Sequence, residues 1–126
     1  MEKPIRVLVA IRPRLIRELV LATIADQPDI EIVGEVQDDA EIPAAVENSH
    51  PTFLIMAMKW PEQRPSVCDA LLRQYPEIKV LALAPEHNST VFYWASLDIH
   101  SHRVEASEEG ILGALRGRSR TAGGEQ

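Results

Sequence analysis

The chain has 126 residues, enough for one domain around one core, and its 45% apolar and 25% charged residues exclude global disorder. The formal net charge of −6 argues against a nucleic-acid-binding domain, which normally carries a basic face. The single cysteine, Cys68, cannot close an internal disulfide, and neither a signal peptide nor a membrane-length apolar run is visible. A soluble protein of the reducing cytoplasm is therefore expected.

Ile5-Arg6-Val7-Leu8-Val9-Ala10 is β-branched and mostly apolar, and reads as a first buried strand. Pro13 suits the first turn of a helix. From Arg14 onward Leu15, Ile16, Leu19, Val20, Thr23 and Ile24 recur at three- and four-residue spacing, which predicts one apolar face opposite Arg14, Arg17 and Glu18. Asp26-Gln27-Pro28-Asp29 ends that helix, and residues 30–36 alternate as an edge strand would. Asp38 or Asp39 can cap a short helix over residues 40–48, with Pro43 early enough to be tolerated.

Pro51 and Pro61 bracket the unbroken apolar run Phe53-Leu54-Ile55-Met56-Ala57-Met58. Nothing polar interrupts it, so it reads as a strand buried on both faces in the middle of a parallel sheet. A two-proline loop follows, then an amphipathic helix over residues 66–74 that turns Val67, Cys68, Ala70 and Leu71 inward. Residues 78–84 form a fourth strand. Asn88 or Ser89 can cap a fourth helix through residue 97, and the polar stretch 99–104 makes a poor fifth strand. Ser107 with Glu108 and Glu109 starts a last helix through Arg116, and Gly117 stops it. Residues 118–126 read as a flexible tail or the start of a linker, which leaves 1–117 as the domain. Strand and helix thus alternate five times without an internal repeat. That pattern predicts a three-layer α/β, flavodoxin-like fold with a five-stranded parallel sheet in the order 2-1-3-4-5.

The first strand, the helix containing Arg17-Glu18 and the segment Pro28-Asp29-Ile30-Glu31-Ile32-Val33-Gly34-Glu35 resemble the receiver domain of bacterial response regulators. The type that precedes a LuxR-type DNA-binding domain is the nearest. The resemblance runs from Ile5 to about Gly117. It implies a phosphoryl group accepted on an aspartate at the end of the third strand. It also implies Mg²⁺ held there with an acidic pair after the first strand, and a hydroxyl residue and a lysine contacting the phosphoryl oxygens. Aligned by strands, the acidic pair falls on Ile11 and Arg12, the acceptor on Ala57, the hydroxyl on Ala84 and the lysine on Val104, beside Arg103. The strand-five switch aromatic falls on Ser101. None of these can do the chemistry, since a dication needs several oxygen ligands and the transferred group needs an acceptor. The expectation is a pseudo-receiver, with the fold kept and the phosphorylation switch removed.

Arg12, Arg14 and Lys59 are expected near the carboxyl ends of the first and third strands, where open α/β sheets bind ligands. They could form an anion site, or Arg12 could pair with Glu86 or Glu105. No glycine-rich phosphate loop accompanies them, because Gly34 is the only glycine before Gly110. His100 and His102 share one side of a strand, with His87 and Glu105 as remote further ligands, so exposed histidines are favoured over a metal site. Cys68 reads as a small core residue. Phe92, Tyr93 and Trp94, with Val91 and Ala95 beside them, are the aromatic centre of the chain, and the three rings span most of a turn of the expected fourth helix. At least one ring there should be exposed, and the resemblance implies a dimer or partner surface on helix four, strand five and helix five. Arg116, Arg118 and Arg120 are too few to claim nucleic-acid binding.

No Ser/His/Asp or Cys/His arrangement is visible, and neither an enzyme nor a cofactor is expected. The expected function is a non-enzymatic receiver in two-component-type signalling, acting through phosphorylation-independent protein–protein contact, with a homodimer as one form. A small-anion sensor of nucleotides or phosphometabolites is the alternative. A third option is the receiver half of a transcriptional regulator, with nucleic acid bound only through a separate domain.

Overall fold

The structure, a computed structural model, describes residues 4–96 and 99–117. Its elements are β1 (Ile5–Ala10), α1 (Arg14–Ala25), β2 (Ile30–Val36), α2 (Ile42–Ser49), β3 (Phe53–Ala57), α3 (Ser66–Gln74), β4 (Lys79–Ala84), β5 (Ser89–Ala95), β6 (Ile99–Glu105) and α4 (Glu108–Leu115). A 3-10 turn at Asp39–Glu41 leads into α2, and another at Pro85–His87 joins β4 to β5. The strands form one sheet in the order β2-β1-β3-β4-β5-β6.

β3 sits between β1 and β4 and runs parallel to both, as its apolar run predicts. Phe53 and Ile55 face one core with Val7, Val9 and Ile11; Leu54 and Met56 face the other with Leu8 and Ala10. The first core is closed by α1 and α4, the second by α2 and α3.

The carboxyl half departs from expectation. The sheet is not five parallel strands: residues 89–95, expected to be helical, form β5, antiparallel to both β4 and β6. The physical reason is local. Thr90, Val91, Phe92, Tyr93 and Trp94 are all β-branched or aromatic and favour a strand. Their alternation also fills both cores, with Phe92 and Trp94 on the α1/α4 side and Val91 and Tyr93 on the α2/α3 side. Asn88 starts no helix and instead closes the 3-10 turn Pro85–His87. Its left-handed φ of 49° turns the chain back on itself. The sheet is therefore mixed, and β6 is displaced one place outward to the edge. One cost of this arrangement is Thr90, fully buried with a hydroxyl that lacks a hydrogen-bond partner among the described residues.

Helix α1 buries Val20 and Ile24, but Leu15 and Leu19 are 81% and 62% exposed. Successive helical residues are about 100° apart, so the 16-20-24 stripe that meets the sheet leaves 15 and 19 on its flank. Helix α4 is capped as expected, with the Gly110 N–H donating to Ser107 Oγ at 3.1 Å. Arg116 follows it and is no part of a loose tail. Its guanidinium donates to both carboxylate oxygens of Asp29 at 2.8 Å and to Gln27 Oε1 at 2.7 Å, tying the end of α4 to the start of β2. Arg118, Arg120 and the rest of 118–126 lie outside the described residues. Among the described residues no helix is long and apolar enough to cross a membrane.

Two expected outcomes follow from this packing. A β-carbon on Gly110 would meet the Glu105 carbonyl oxygen at 2.0 Å, so the first turn of α4 lies directly on the end of β6. Gly110→Ala should cost about 1–3 kcal/mol in urea unfolding, the usual range for overpacking. Cys68 is buried, its Sγ 3.6 Å from Met56 Sδ, and burial first, then the Asp69 charge, push its thiol up from 9.0 to about 12. The native thiol keeps its proton longer than the unfolded one, so its contribution is full below pH 9 and lost as pH rises toward about 12. Urea titrations across that window should show stability falling, with the slope reduced in Cys68→Val.

Candidate functional site

The carboxyl ends of β1 and β3 open into a cleft of about 410 Å³. Ala10, Arg12 and Pro13 come from the end of β1 and its loop; Ala57, Met58 and Lys59 from the end of β3; Gln37, Asp38 and Asp39 from the loop after β2; and Pro85 and Glu86 from the turn after β4. This is where an open α/β sheet places ligands, because diverging loops leave a crevice there.

The loop after β1 is held by Arg17, whose Nη1 donates to the carbonyls of Ile11 and Arg12 at 3.4 and 3.3 Å. That loop turns the side chain of Ile11 into the α1/α4 core, where it is 0% exposed, and leaves exposed Arg12 in the cleft wall. Asp38 is engaged locally, its Oδ1 accepting from the Ala40 N–H at 3.1 Å to cap the turn before α2. At the mouth, Lys59 Nζ stands 6.0 Å from the centre of the Trp60 ring, which in turn lies 4.8 Å from the His87 ring.

Of the three expected anion-site cations, Arg12 and Lys59 come together in the cleft. Arg14 does not. It starts α1 on the solvent side and pairs with Glu18 at 2.9 Å, one helical turn on. Arg12 makes no ion pair with Glu86 or Glu105, and neither Arg12 nor Lys59 has an ion-pair partner within 4.0 Å among the described residues. The cleft is nevertheless not a cationic pocket, because Asp38, Asp39 and Glu86 share its walls. These three come from connecting turns, which helix and strand periodicity does not position.

The remaining sites fall differently. Ala57 lines the cleft, while Ala84 is fully buried at the end of β4 and does not. Val104 packs partly against the α1/α4 core, three strands from Ala57, about 14 Å at normal strand spacing. The expected interface residues are corrected by β5: Val91, Phe92 and Tyr93 are buried, and Trp94 and Ala95 pack partly against the two cores. Only a 3-10 turn joins β4 to β5, so the expected helix-four surface is not formed by residues 89–95. His102 lies on β6 and the side chain of His100 falls outside the described residues; among those described, no three His, Cys, Asp or Glu side chains converge as metal ligands.

No protein-family model matches the sequence, and no curated protein matches it. Solved structures do. The RcsB response regulator of Salmonella typhimurium, described for its conformational dynamism in DNA interaction, matches 64% of this chain with a TM-score of 0.56 and 13% identity. The isolated REC domain of RcsB from Salmonella enterica serovar Typhimurium, in the presence of the phosphomimetic BeF3−, matches 64% of it with the same TM-score and identity. The chain spans 42% and 61% of the lengths of these two structures. At this identity the likeness is one of fold: the chain has the receiver-type α/β architecture, with an antiparallel strand and an edge strand completing its sheet.

Proposed function

We propose that this chain is a receiver-fold signalling module that works without aspartyl phosphorylation, by contact with a protein partner. The observation that carries the reading is the methyl group of Ala57 at the end of β3, facing a cleft whose β1 side supplies Arg12. The residues present do not fit the family's magnesium ion. Position 11 is apolar and turned into the core, position 12 is a fixed cation, and neither β1 nor β3 ends on a carboxylate. Val104, at the position the resemblance gives to the lysine, carries no charge, and it lies on β6, which β5 separates from β4. What stays available for signalling is surface. Leu15 and Leu19 form an exposed apolar pair one turn apart on α1, a feature suited to a protein contact.

Incubation with acetyl phosphate and Mg²⁺ tests the reading by intact mass. No phosphoryl adduct is expected on the wild type or on Ala57→Asp, since the mutant still lacks the acidic pair after β1. A magnesium-dependent adduct on an acidic side chain of the wild type would overturn the proposal.

A second reading rests on the two cations of the cleft, Arg12 and Lys59, which have no ion-pair partner among the described residues and would hold a small phosphorylated ligand. A thermal-shift series with nucleotides and sugar phosphates should then raise the melting temperature of the wild type and not of Arg12→Gln/Lys59→Gln. No shift at millimolar ligand removes this reading. A DNA-directed role, as described for the longer RcsB chain, would need a further domain.

A further inference from the structure

A second cavity, of about 390 Å³, lies at the opposite end of the sheet, beneath α4 and far from the cleft. It exists because β5 is a strand. β5 delivers Phe92 and Trp94 to the α1/α4 side of the sheet, where Phe53 of β3 already stands. Phe53 and Phe92 stack with centroids 5.9 Å apart at 21°, and Phe92 and Trp94 lie 5.4 Å apart at 35°. Together they make a wall of three successive rings. Above it stands the end of α4, with Ala114 fully buried and Leu115, Arg116 and Gly117 beside it.

The rim is charged asymmetrically. Arg116 is neutralised by its two-point pairing with Asp29. Lys79 is the register partner of Phe53, so its side chain stands on the same face; it is exposed and makes no ion pair among the described residues. Among the described residues no carboxylate lines the cavity. An aromatic wall with one unbalanced cation at its edge is complementary to a flat apolar body carrying one negative charge. The volume falls in the several-hundred Å³ range of small-molecule pockets.

We propose that this cavity is a binding site for a planar aromatic monocarboxylate, its rings against Phe92 and Trp94 and its carboxylate at Lys79. Such a ligand would touch β3, β4, β5 and α4 at once, and so would couple occupancy to the docking of α4. The site does not depend on the proposed function, since none of its residues lines the cleft.

The test is titration of 2-naphthoate into the full chain, followed by calorimetry and by amide NMR. Saturable one-to-one binding is expected, with shifts concentrated at Lys79, Phe92, Trp94 and Ala114. Lys79→Gln should weaken naphthoate about two- to fivefold, the range of an exposed ion pair, and leave the neutral 2-naphthalenemethanol unchanged. Thr52→Phe, at an exposed position of the rim, should abolish binding of both by blocking entry without altering the core. Absence of saturable binding to the folded wild type at millimolar naphthoate overturns the proposal. So does binding that survives Thr52→Phe, and so does equal affinity for the acid and the alcohol in both wild type and Lys79→Gln.

Discussion

β3 has to bury both of its faces, and the layers of the molecule are arranged around that requirement. Its five residues have almost no polar side-chain surface, so each face needs a cover and each backbone edge needs a partner strand. β1 and β4 supply the edges. α1 and α4 supply one cover and α2 and α3 the other, which is why two separate apolar clusters form and why both contain residues of β3. The carboxyl ends of β1 and β3 then lie side by side by construction, and the cleft with Arg12, Ala57 and Lys59 follows from that adjacency.

β5 solves a related problem differently from a crossover helix. β4 is as apolar as β3 and needs a partner on its outer edge. An antiparallel return through Asn88 provides one within a few residues, and the strand that provides it brings its own apolar side chains to both clusters. The same choice has two functional consequences. It moves β6 away from the cleft, so that among the described residues none of β6 lines it. It also carries an aromatic pair under α4, which creates a second concave surface at the far end. Polar β6, with Ser101, Arg103 and Glu105 exposed, is suited to the edge it now occupies.

Much of this was legible in the amino-acid order, for reasons that can be named. Phe53 to Met58 had no polar interruption, so burial on both faces was the only consistent reading. Ser107 followed by two glutamates marked the start of α4 because an N-terminal cap is a local, short-range interaction. Arg12 and Lys59 directly follow strands, so the sheet itself places them. Arg14 was misplaced because it is the first residue of α1, and its reach to Glu18 is decided by helical geometry and not by the sheet. The segment 89–95 was misread because alternation of strands and helices in the preceding chain suggested another helix, against the preference of its own β-branched and aromatic residues. The cavity beneath α4 had no local signal. It is assembled from the starts of β1, β3 and β4, the end of β5 and the end of α4, segments that only tertiary packing brings together.

The short turn at Pro85–His87 and Asn88 has one more effect, on the order in which the chain assembles. β1 meets β3 only after α1, β2 and α2 have been threaded between them, whereas β4 meets β5 across four residues. Closing a short loop costs less chain entropy than closing a long one, and hairpins form within microseconds. The β4–β5–β6 meander is therefore the portion that can zip before any crossover is complete, so that the antiparallel part of the sheet offers the parallel strands a ready template.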